Sequence, residues 1–457
     1  MRGRDAMDAG RRDGADEAWP FDDLDEALAR SRRTDQPIFL YWGTKWCPPC
    51  AEMQVNVLQR PAFHARRAHM VALGVDGDAP GAQACGDRLD TEVYPTLMVL
   101  DGEGLEWIRM PCGLAADVFC SLLDAALRRR TPVARLADAV DGTARGLHED
   151  DLALLAFHYW PQDRRIHPGN DRLAFLDRLD AAAASGSPAS RARVLTWLLV
   201  EQTARQGADT PPAVRHRLFD RLLELLHSRQ ATYPALYYLL VALEPVVGFV
   251  CGVDGGRRHQ LTQAFGRVLE RMGDDAALSW TERLIVQSAR VTLEAGREAP
   301  GGPAALLGRT RAMVADADAA TASVTERQSV MNMAGHLLRQ SGLREESIGL
   351  FRAEIGRSPW PTYFMPYVAE MYMEQDDREE ALRWWRRSYE ETSGRTTRFE
   401  LGVRYVAALA RHAPDDGRAI ESLVTRLIAE RGDDVDMARG RVRKSLGLLA
   451  RSLEGRS

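Results

Sequence analysis

The spacing of apolar residues divides this chain in two. Up to about residue 130, short apolar blocks alternate with polar, helix-patterned stretches, whereas beyond Thr131 Leu and Ala recur every three or four positions. QPIFLYWG, Gln36 to Gly43, follows the turn signal TDQP and predicts a buried central strand. After it, AEMQVNVLQRPAF predicts a helix with Met53, Val57 and Leu58 on one face. HMVALGVDGDAP, His69 to Pro80, reads as a strand and a turn, and AQACGDRLDTEV as a helix. YPTLMVLDGEGLEWIRMP reads as two strands joined at Asp101 to Gly104, and DVFCSLLDAALRRR as an amphipathic helix. With a first helix at DLDEALARSRR, the order is helix, strand, helix, strand, helix, strand, strand, helix.

The remainder predicts helices throughout. DDLALLAFHYW, RLAFLDRLDAAAA, ASRARVLTWLLVEQTARQ, AVRHRLFDRLLELLHSRQ and SWTERLIVQSARVTLEA carry the helical period, with breaks at Gly186 to Pro188, Gly207 to Pro212 and Glu298 to Pro303. PALYYLLVALEPVVGFVCG, Pro234 to Gly252, approaches the length of a membrane span. Glu244 and Pro245 at its middle favour two buried helices broken at the proline instead. Near the end a repeat emerges: GLREESIGLF aligns with DDREEALRWW, so that Gly342, Glu346, Ser347 and Phe351 stand 34 residues before Asp376, Glu380, Ala381 and Trp385. FELGVRYVAALARHAPDDGRAIESLV fits as a third unit only with inserted residues. The aromatic stretch PWPTYFMPYVAEMYM, Pro359 to Met373, is assigned to interhelix core in preference to a peptide groove. FHYW, Phe157 to Trp160, reads the same way, with His158 a satisfied core histidine.

Composition changes this picture little. The chain has 457 residues, 45% apolar, and its net charge of −5 comes from interspersed acids and bases that create no field for nucleic acid or an anionic membrane. MRGRDAMDAGRRDGADEAWP lacks the apolar core of a secretory signal, so the expected location is cytoplasmic, or periplasmic if a signal peptide precedes the stated start.

The candidate chemistry lies in WCPPC, Trp46 to Cys50. Its thiols could be a redox pair, half of a metal site, or packing. Four other cysteines, Cys85, Cys112, Cys120 and Cys251, are scattered, and neither a second ligand pair nor a paired-histidine cluster supports zinc. Cys47 falls at a strand-to-helix junction, where orphan amides and the helix dipole favour a thiolate. Pro48 and Pro49 suit the first helical turn and cannot donate, leaving the Cys50 amide as the nearest backbone donor to Cys47. That predicts a moderately stabilised thiolate, as in a reductant. Cys85, Cys112 and Cys120 read as inert packing, and Lys45 as a solvated surface lysine.

FLYWGTKWCPPC, VDGDAP and YPTLMVLDGEG together resemble the thioredoxin-like fold, particularly the C-terminal domain of thiol:disulfide interchange proteins. The 34-residue step over residues 325–430 resembles tetratricopeptide repeats. The resemblance implies an α/β thioredoxin-like domain followed by an all-α helical-repeat region. Its divisions are a disordered N-terminus at 1–19, the thioredoxin-like domain at 20–130, a linker at 131–150, an α-helical domain at 151–324 and repeats at 325–457. It further implies Cys47 as the attacking thiol, Cys50 as the resolving thiol, Pro95 as the cis-proline facing them, and a Tyr94 backbone that pairs with extended substrate. Trp46 would cover one side of the thiols, or serve as ordinary packing.

Two positions depart from the family pattern: Tyr41 stands where a buried acid is usual, and Ala72 where a lysine is usual. The proton acceptor for Cys50 then falls to water, Asp76 or Asp78, although both aspartates suit turns or caps better. The expected function is a thiol:disulfide oxidoreductase acting as a reductase, without metal or cofactor. Its partners would be protein disulfides, a thiol electron donor, and a peptide or protein on the repeats. An interaction scaffold with little redox turnover is the alternative, which the loss of the acid at Tyr41 favours.

Overall fold

The structure, a computed structural model, describes residues 19–142, 146–168, 171–205, 210–295 and 304–454. The segment expected to be disordered, 1–19, lies outside the described residues but for Trp19, as do most of the breaks at 207–212 and 298–303.

Four strands, β1 (Ile38–Gly43), β2 (Val71–Asp76), β3 (Thr96–Leu100) and β4 (Glu106–Met110), form one sheet in the order β2-β1-β3-β4. β1 runs parallel to β2 and antiparallel to β3, and β3 pairs antiparallel with β4. Helices cover both faces, which is why β1 is a continuous apolar run rather than an alternating one. Phe39 packs with Phe63 and Phe119 on one face, while Ile38, Leu40 and Trp42 join Leu24 and Leu28 on the other. The helices are α1 (Leu24–Thr34), α2 (Pro48–Met53), α3 (Pro61–Arg67), α4 (Ala82–Arg88) and α5 (Ala116–Arg129). α2 widens into a π-turn over Gln54–Leu58 and ends before Pro61, which opens α3. The expected element order therefore holds, with one predicted helix split in two.

Among the described residues, everything after α5 is helical apart from turns and short loops. Within 131–150, read as a linker, Val133–Gly142 forms a helix whose Val133, Leu136, Ala137 and Val140 join the core beneath the sheet. Ser187, in the break at Gly186 to Pro188, caps the next helix by accepting from the Ser190 amide. Tyr233–Val241 and Leu243–Cys251 meet at 81°, and among the described residues no single helix is long and apolar enough to cross a membrane. The chain bends at Ala242, three residues before Pro245. The proline thus sits in the first turn of the second helix, where no amide donor is missed.

The repeat is visible as stacked helix pairs: Val324–Gln340 with Arg344–Arg357, and Met365–Glu374 with Arg378–Glu390. Gly342 and Asp376, 34 residues apart, both adopt left-handed backbone at the tight turn between paired helices. Arg395–His412 and Gly417–Arg431 form a third pair. These helices then return to the N-terminal domain. Val324–Gln340 packs on α2, and the last helix, Gly440–Leu453, packs on α4.

Candidate active site

Cys47 is the N-cap of α2, with Pro48 and Pro49 in the first turn. Its sulfur accepts the Cys50 amide at 3.4 Å, the donor that the two prolines leave available. The peptide between Tyr94 and Pro95 is cis. The Tyr94 ring lies 6.0 Å from that of Trp46, edge-on, so Trp46, the thiols and the Tyr94–Pro95 loop come together.

Both thiols are buried, Cys47 at 4% and Cys50 at 1% exposure. Burial, reinforced by the Cys50 thiol, drives the Cys47 thiol well above its ordinary value, and only the Cys50 amide opposes it. The expected stabilised thiolate is therefore reversed. One amide at the start of a single short helix does not offset loss of solvent.

Tyr41 lies against the redox pair. A Cβ on Gly43 would sit 2.7 Å from the Tyr41 hydroxyl and 2.9 Å from Cys50 Sγ, so glycine there lets these two groups share one space. Burial first, then the neighbouring thiols, keep the phenol un-ionised far above pH 10. Where a buried acid could accept a proton, this chain has a neutral hydroxyl. A carboxyl does occur nearby in the chain, on α2: Glu52 is buried, and burial together with Glu282 pushes it up to about 8. Cys112 is raised in turn by burial and by the charges of Glu52 and Cys50.

Both aspartates of VDGDAP take part in turn and packing contacts, the role their sequence setting suited better. Asp76 caps the turn by accepting from the Asp78 amide. Asp78 accepts from Trp46 Nε1 at 3.0 Å, and from the Thr397 amide and hydroxyl at 2.8 and 2.9 Å. It fastens the indole to the repeats. Lys45 is exposed.

The larger surprise is what covers the thiols. Gln328 donates to the Trp46 carbonyl at 2.6 Å, and the Tyr363 ring stacks on the indole at 5.7 Å. Arg441 lies 4.5 Å over the Tyr94 ring, donates to the Glu92 carbonyl, and pairs with both oxygens of Glu400 at 2.8 Å. Its backbone amide donates to Gln83, and Asp436 accepts from the amides of Gly81 and Ala84. Cys47 consequently faces a cavity of about 260 Å³ whose walls come partly from the WCPPC and Tyr94 segments and partly from Thr362 to Tyr367, Thr397 to Arg404 and Arg441. The aromatic stretch assigned to core is divided: Phe364, Met365 and Val368 are buried in it, while Tyr363 and Tyr367 line this cavity. No motif marked these contacts in the sequence, because they join positions some 300 residues apart.

Elsewhere, Glu106, His158 and Asp163 place ligand-type atoms within 4.8 Å of one another. Those atoms are already engaged. His158 Nδ1 accepts the Arg109 amide, Nε2 bonds Asp163 at 2.8 Å, and Arg109 holds both oxygens of Glu106. His158 is a satisfied core histidine.

Residues 19–102 match the model of a family described as thioredoxin-like. The N-terminal domain is thioredoxin-like. A solved structure of a DsbH oxidoreductase is similar to this chain at 24% identity, over 24% of this chain and 85% of that one, with a TM-score of 0.23. No curated protein matches the chain. The thioredoxin-like domain contributes Trp46, Cys47, Cys50, Tyr94 and Pro95, and the helical region that follows it contributes the cover.

Proposed function

We propose that the chain is a thiol:disulfide oxidoreductase working as a disulfide reductase, with Cys47 attacking and Cys50 resolving. The observation that carries this reading is the arrangement of the pair: Cys47 caps α2, takes the Cys50 amide on its sulfur, and shares its cavity with Tyr94 of the cis Tyr94–Pro95 loop. The Cys47 thiolate attacks a substrate disulfide and forms a mixed disulfide. Cys50 then displaces it, leaving reduced substrate and an oxidised pair that a thiol donor must reduce again. Electrostatics supports this direction. Strong oxidants stabilise the attacking thiolate and hence their reduced form, whereas burial here disfavours the Cys47 thiolate and so favours the reducing role.

A second reading, an interaction scaffold with an idle thiol pair, draws support from the 4% exposure of Cys47 beneath the repeats. Trapping separates the two. A Cys50→Ser variant of a reductase retains its substrate as a mixed disulfide at Cys47, and Cys47→Ser retains none. A scaffold traps nothing with either variant.

A further inference from the structure

The cover over Cys47 limits what can reach it. In an open thioredoxin-type site an extended chain could lie along Tyr94, but here the Arg441 guanidinium sits over that ring and takes the Glu92 carbonyl. Thr397 and Gln328 fasten the Trp46 side in the same way. These contacts crowd the Tyr94 side against a folded protein disulfide, and Cys47 opens into a cavity of about 260 Å³. That lies below the several hundred Å³ of ordinary ligand sites and suits a small molecule.

The walls say which kind. Rings of Trp46, Tyr94, Tyr363 and Tyr367 supply apolar sides. Three charged side chains line the space: Glu400, Arg441 and Arg404. The first two neutralise one another. Arg404 is exposed at the cavity and forms no ion pair among the described residues, which leaves one positive charge uncompensated in the wall that Tyr363 and Tyr367 share. A guanidinium in that state recognises a carboxylate by paired N–H donation.

We infer that the substrate is a low-molecular-mass disulfide bearing a carboxylate, bound with its sulfur at Cys47 and its carboxylate at Arg404. This rests on the redox reading above. The Cys47 thiolate attacks one sulfur of R–S–S–R, forming Cys47–S–S–R and expelling RS⁻. The Cys50 sulfur, giving up its proton, attacks Cys47 Sγ and expels the second RS⁻. Two electrons pass from the dithiol to the substrate, and the protein is left with a Cys47–Cys50 disulfide.

The test is a single turnover of the full pre-reduced chain, which needs no added reductant. Dithiodiglycolate (anionic), hydroxyethyl disulfide (neutral), cystamine (cationic) and insulin (a folded protein disulfide) are the oxidants. Closure of the pair is followed by alkylation and mass, and each rate is divided by that of free dithiothreitol with the same oxidant. Normalised rates should favour dithiodiglycolate over cystamine at least ten-fold, and insulin should lag by a hundred-fold. Arg404→Gln should bring the anion-to-cation ratio close to one, and Arg404→Lys should keep most of it. Equal rates for insulin and the small disulfides, meaning that the helices swing away, overturn the inference, as does a ratio near one in the native chain. In both cases the redox reading survives. If no disulfide closes the pair, the redox reading fails and takes the inference with it.

Discussion

At the residue scale the site depends on groups whose character is set by burial. The placement of Cys47, Cys50 and Pro95 was legible through the WCPPC and YPT motifs and the resemblance they carry: a thiol at a helix start, a second one turn later, and a cis-proline after Tyr94. Tyr41 was visible as a departure from the family pattern, but Glu52 was not, since nothing near it in sequence announces that Tyr233, Tyr237 and Glu282 will come close to it. Glu52 yields a pH prediction. Its folded value of about 8 lies above its ordinary 4.5, so the folded state binds the extra proton. Stability is then fully present below about pH 4.5 and falls as pH rises to about 8, by a few kcal/mol at about 1.4 kcal/mol per unit. Glu52→Gln removes that loss. Its urea midpoint should exceed that of the native chain at pH 8.5 and match it near pH 4.5, while the dependence contributed by Glu282 and the other shifted groups stays common to both.

At the scale of elements, α2 ties the redox pair to its backbone. With Pro48 and Pro49 at the first two helical positions, a single amide reaches the Cys47 sulfur. Pro49→Ala adds a second donor at an exposed position and should lower the Cys47 pKa. The reduction potential should become less negative by roughly 30 mV, a ten-fold change in equilibrium against dithiothreitol. The strands and their order were legible because each apolar run is bounded by turn residues, as at Asp101 to Gly104. The joint at Ala242 was less so. Pro245 is the visible breaker, yet a proline in a first helical turn is accommodated, and the bend falls upstream of it. The 34-residue step was legible at its turns, where Gly342 and Asp376 share left-handed backbone.

At the scale of the whole molecule, the thioredoxin-like domain and the repeats build one site between them. Sequence patterns report neighbours within a helix or strand, so they revealed both regions but not that the second closes over the first. Arg441 is the keystone of that closure, bonded at once to Glu400, the Glu92 carbonyl and the face of Tyr94. Arg441→Met leaves the nearly buried Glu400 carboxylate unpaired, at a cost of about 3 kcal/mol. Loosened closure should expose the sulfur, so iodoacetamide should label Cys47 at least ten-fold faster than in the native chain, with labelling of buried Cys120 as the control for general unfolding.

The claim on which the rest depends is that Cys47 and Cys50 cycle between dithiol and disulfide as a reductant, and the reduction potential of the pair in the full chain tests it most directly. Equilibration with dithiothreitol, quantified by alkylation and mass, should place the potential at about −270 mV, in the range of reducing thioredoxins. A potential at about −120 mV, or a pair that never closes, would contradict the account.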